Sequence, residues 1–93
     1  MPATLAALKS AVTGALTALE AVDPAEMNAF VGRDMVFSVP SRNMSLNFTA
    51  ENFLLSFSQP NFYFHASTAY DILRWKGVSI GKLDYLGKMR MKA

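Results

Sequence analysis

The run Asn61-Phe62-Tyr63-Phe64-His65-Ala66-Ser67-Thr68-Ala69-Tyr70-Asp71-Ile72-Leu73-Arg74-Trp75-Lys76 decides how this chain folds. At about 100° per residue, Phe62, Ala66, Ala69 and Leu73 fall along one side of a helix. Phe64 and Trp75 fall roughly 160° away, joined by Phe53 and Phe57 if the winding continues upstream. Ser67, Asp71 and Arg74 occupy the narrow polar sector between the two. A helix that is apolar on two sides is covered on two sides. It therefore belongs at the centre of a helical assembly.

Working outward, the same helix is expected over about residues 50–76. Thr49 is a candidate N-cap ahead of Ala50-Glu51-Asn52, and Gly77 a candidate stop. Pro60 lies inside it and predicts a bend or a one-turn break, because proline lacks the amide hydrogen and crowds the preceding turn. Upstream, Met35-Val36-Phe37-Ser38-Val39 and Met44-Ser45-Leu46-Asn47-Phe48 alternate at period two around Pro40-Ser41-Arg42-Asn43. That pattern reads as a β-hairpin over residues 35–48. Asp23-Pro24 predicts a short capped helix over residues 24–31. Before it, Leu5, Leu8, Val12, Ala15, Leu19 and Val22 alternate three and four apart, the seam of a helix over about residues 4–22. After Gly77 the expectation is a loop with apolar anchors, ending in the basic tail Lys88-Met89-Arg90-Met91-Lys92-Ala93.

Composition narrows the functional classes. With 93 residues the chain allows one domain, and 52% apolar against 17% charged residues excludes intrinsic disorder. The absence of cysteine removes disulfides, thiolate metal sites and cysteine nucleophiles together. The net charge is +2, and the second half is only mildly basic, too dilute a pattern for a nucleic-acid footprint. No signal segment or membrane span is expected, which makes the cytoplasm the expected compartment. No glycine-rich phosphate loop and no hydrolase triad stand out.

Two long helices, one of them apolar on both sides, cannot bury each other's surfaces as a single antiparallel pair. The smallest remedy is a second copy, two helices from each chain making four. The expected fold is mainly α, two long helices plus a short helix and a hairpin, forming a four-helix bundle by homodimerisation. Phe53, Phe57, Phe64 and Trp75 are the expected interface.

The run from Pro60 to Arg74, with Gly77-Val78, Ile80-Gly81-Lys82 and Asp84-Tyr85-Leu86-Gly87 after it, resembles the signature of the domain-of-unknown-function family numbered nineteen ninety-three. That family is similar to the DinB/YfiT-like four-helix bundles. The order of helix, acidic turn, hairpin and threonine-opened helix is similar to the family's second half. The resemblance implies two further helices in the longer members, in step with the shortage of helices here. It departs at Trp75-Lys76, where the family often carries His-Asn. The wider superfamily includes metal-dependent thiol transferases with three histidines. This chain has only His65, so no metal and no cofactor are expected.

His65, Asn61 and Thr68 share one flank of the central helix, beside the apolar side that carries Phe62. They read as a ligand-binding set with Phe62 and Ile72, or as a core histidine with its hydrogen-bond partners. Tyr63 and Tyr70, seven apart, lie near the other edge and with His65 make the candidate catalytic groups. The expected function is binding of a small, largely apolar molecule in a dimeric bundle, with any catalysis being metal-independent acid–base chemistry. The alternatives are a non-catalytic assembly or regulatory protein, or a truncated relative without activity. Asp71 and Arg74 read as an ordinary surface pair.

Overall fold

The computed structural model describes residues 1–93. The chain forms two compact units, Met1–Glu51 and Asn52–Ala93.

The first unit opens with helix α1, Leu5–Glu20, whose first turn is capped by the Thr4 hydroxyl accepting from the Ala7 amide at 3.1 Å. Every residue of α1 is exposed, so its leucine seam has no cover. Asp23 then caps α2, Pro24–Ala29, its carboxylate accepting from the Ala25 amide at 2.9 Å. Strands β1, Asp34–Val39, and β2, Met44–Thr49, pair antiparallel with Met35 opposite Phe48, Phe37 opposite Leu46 and Val39 opposite Met44. That register puts all six of these apolar side chains on one side of the ribbon, while Ser38–Ser45 and Asp34–Thr49 lie on the other. The turn is a single 3-10 turn, Pro40–Arg42, closed by Asn43 in the left-handed region at φ 48°. Asparagine tolerates that region better than any residue but glycine.

Glu51 ties the hairpin's two ends together. Its carboxylate accepts from the Gly32 amide at 2.8 Å, beside the Ala50 amide donating to the Arg33 carbonyl at the same distance. The Gly32 amide, Glu51's own amide and the Thr49 hydroxyl hold this carboxyl below its ordinary range.

Helix α3, Ala50–Phe53, begins as β2 ends. The second unit continues it through a π-helical stretch, Leu54–Ser58, into α4, Gln59–Trp75. The winding is not broken at Gln59-Pro60; the helix widens one turn earlier, and the Gln59 amide reaches back five residues to the Leu54 carbonyl. The wider turn absorbs the crowding that Pro60 would otherwise cause, and the Ser56 hydroxyl, donating to the Asn52 carbonyl, fills part of the disturbed ladder. The extra residue also changes the helical phase. Phe53 and Phe57 stack on each other at 5.5 Å and are half-buried, whereas Phe64 and Trp75 remain 67% and 79% exposed. Of the four aromatics expected to form one stripe, Phe53 and Phe57 are thus partly covered and Phe64 and Trp75 are not.

Helix α4 ends in a Schellman turn: the Gly77 amide donates to the Arg74 carbonyl and the Val78 amide to the Leu73 carbonyl, both at 3.0 Å. Gly77 sits at φ 90°, a conformation that only glycine adopts without strain. The segment expected as a plain loop contains a further helix, α5, Lys82–Leu86. Asp84 caps it by accepting from the Gly81 amide at 2.8 Å. The chain is thus mainly helical with one two-stranded hairpin. None of its side chains is fully buried.

Candidate functional site

The signature after Gly77 has a local structural job. It turns the chain so that Tyr85 of α5 reaches α4. Tyr85 makes the attachment: its ring meets Tyr70 edge-on at 5.7 Å, and its hydroxyl lies 3.1 Å from the Ser67 hydroxyl. Arg74 leans over the Tyr70 ring, 5.9 Å from its centre, and donates to the Tyr70 hydroxyl at 3.1 Å. The arginine expected to pair with Asp71 is therefore committed to a tyrosine. Ser67, Tyr70, Asp71, Lys82 and Tyr85 line an open depression of about 270 Å³.

The other candidate residues occupy a different arc of α4. At about 100° per residue, Asn61, His65, Thr68 and Ile72 fall within roughly 60° of one another, and Tyr70 stands about 140° from His65. Phe64 and Trp75 border this arc on one side, and Phe62 and Leu73 on the other. All of these residues except the half-buried Tyr70 are exposed. The structure brings Asn61, His65 and Ile72 together and does not bring Tyr63 or Tyr70 to them. Tyr63 sits edge-on to Phe62 at 5.8 Å, on the tyrosine side of the helix. Thr68 shares the histidine's arc, but its hydroxyl donates to the Phe64 carbonyl at 2.8 Å and so is used within α4 itself. The His65 ring stands perpendicular to Phe64, with centres 5.3 Å apart.

Residues missed in the sequence are Ser67 and Tyr85 as a hydroxyl pair and Lys82 as a groove residue. The available signal was the placement of Asp84 three residues after Gly81, which marks a helix start and so a second wall. A second depression, about 460 Å³, lies at the elbow of α1 and α2, lined by Leu19, Val22, Pro24, Met27 and Asn28. It offers one amide and no titratable group. No three histidine, aspartate or glutamate side chains converge on a point. No helix is long and apolar enough to cross a membrane.

A family model, Domain of unknown function (DUF1993), matches residues 1–86. The chain belongs to this family. The match takes in the hairpin and first helix of this DUF1993 chain as well as the signature around His65. No curated protein matches it. Among solved structures it is similar to a DinB family member protein from Shewanella denitrificans, with 41% sequence identity and a TM-score of 0.78. The superposition covers 99% of this chain and 50% of that one. The DUF1993 chain thus has a DinB-type fold and spans about half the length of that relative.

Proposed function

We propose that two copies of this chain pair along the open arc of α4 to complete a DinB-like four-helix bundle, whose shared core binds a small, largely apolar molecule beside His65. The chain then corresponds to the second half of the family's fold, with its own copy standing in for the other half. One observation carries this reading. The chain exposes 8400 Å² at 10.2 kDa, whereas a compact monomer of that mass exposes about 5300 Å². The excess, roughly 3000 Å² per chain and so about 6000 Å² over a pair, is as large as the largest obligate interfaces.

The chemistry of the arc supports a ligand within that interface. Asn61 and His65 sit between Phe64 and Trp75 on one side and Phe62 and Leu73 on the other. Once the arc is covered, the amide and imidazole each require a hydrogen-bond partner, because an unpaired buried polar group costs about 1–3 kcal/mol. A small molecule with one polar atom meets that need, and the imidazole is then placed to give or take its proton. Tyr63 and Tyr70 stay outside this site in one protomer. The assembly reading without a ligand gains from Thr68, whose hydroxyl is already satisfied inside α4.

Light scattering on the purified chain at two concentrations tests the pairing, with a dimer expected throughout the micromolar range. Indole, an apolar ring with one donor, is the probe for the site. It should bind the native dimer and fail to bind His65→Gln while that variant stays dimeric. A dimer that ignores indole leaves assembly as the function, and a compact monomer overturns the proposal.

A further inference from the structure

We propose that the groove between α4 and α5 is a separate binding site for a small zwitterion, a free α-amino acid or a molecule with the same charge pattern. The inference rests on the second unit alone and does not depend on dimerisation.

Asp71 on α4 and Lys82 on α5 both line the 270 Å³ depression. They belong to different helices brought together by Tyr85, and neither has an ion-pair or hydrogen-bond partner. Opposite charges around one depression neutralise each other when they can touch. Here no ion pair joins them, and the Tyr70 and Tyr85 rings share the same lining. A ligand carrying both charges joins them, its ammonium toward the Asp71 carboxylate and its carboxylate toward the Lys82 ammonium.

The tyrosines fix the rest of the specificity. Arg74 donates to the Tyr70 hydroxyl at 3.1 Å, which leaves that hydroxyl's own hydrogen free for a carboxylate. Ser67 holds the Tyr85 hydroxyl at 3.1 Å, so the second ring is set as well. Their aromatic surfaces, 5.7 Å apart and inclined by 67°, suit the aliphatic part of an amino acid and an ammonium near the ring. The volume lies below the usual range of about 300–1,000 Å³ for drug-sized ligands, which restricts the occupant to a small molecule. The depression is open, so its contacts are water-screened and binding is weak, near about 1 mM.

The test uses the full chain, nitrogen-15 labelled, titrated with L-valine, N-acetyl-L-valine and L-valinamide while amide resonances are followed by NMR. L-valine should shift residues 67–71 and 81–85 and saturate in the low millimolar range. Removing either charge should weaken binding at least about tenfold. Asp71→Asn should abolish the preference for valine over its N-acetyl form, and Lys82→Met the preference for valine over its amide. Both positions are exposed, so the substitutions spare the fold. If either variant unfolds, the three compounds on the native chain decide alone. Equal affinity for all three, shifts away from the groove, or no shift at about 10 mM valine overturns the assignment.

Discussion

Replacing Phe64 by alanine separates association from folding. Phe64 is 67% exposed in the single chain, so its ring contributes little to the protomer. Alanine is also the better helix former, so α4 should lose nothing on its own account. A phenylalanine presents about 200 Å² of surface, of which roughly 130 Å² here awaits cover. At about 25 cal/mol per Å², and allowing for the methyl that alanine keeps, each ring contributes about 2–3 kcal/mol to association. A twofold interface contains the residue twice, so the variant should lose about 5 kcal/mol, between three and four decades in the dissociation constant. Sedimentation equilibrium over a concentration series reads that change, with circular dichroism confirming that helix content stays constant. An unchanged dissociation constant would refute the reasoning, because Phe64 would then lie outside any interface. Loss of helix would refute it differently, by showing that the exposed ring already supports the protomer.

Gly77→Ala should cost about 1–2 kcal/mol in urea unfolding, since at φ 90° the added methyl meets no neighbour and only backbone strain acts. Asp84→Ala should speed amide hydrogen exchange over residues 81–86 severalfold while α4 stays protected, because the Gly81 amide loses its acceptor. The depressed Glu51 carboxyl contributes stability that is fully present above its ordinary value of 4.5 and lost as pH falls through its lower folded-state value. Glu51→Gln should therefore lower the melting temperature at pH 7 and flatten the acid side of the stability profile. An acid limb as steep as the native one would show that other carboxylates set it.

Local signals in the sequence are read correctly where one residue decides the geometry. Asp23-Pro24 fixes a cap and a first turn within three residues, and Gly77 fixes a stop. The hairpin is legible because its period-two pattern and turn are contiguous. The passage over residues 54–58 is not, because proline's crowding can be relieved by a bend, a break or a widened turn, and nothing adjacent selects among them. That choice sets the phase of Phe53 and Phe57 relative to Phe64 and Trp75, so the sequence alone does not phase the aromatic stripe. Helix α5 has five residues, too few for a periodic signal. The grouping of Asn61, His65 and Ile72 follows from spacing alone. That Tyr70 packs with Tyr85 is not legible, because the partner lies fifteen residues further on in a helix too short to read.

The placement of α5 also bears on how many copies can join. A rod that is sticky on opposite flanks invites neighbour after neighbour and grows into a fibre. By folding back through Gly77 and fastening Tyr85 to Ser67 and Tyr70, the chain spends part of one flank of α4 on itself. That leaves less of α4 open to a second neighbour.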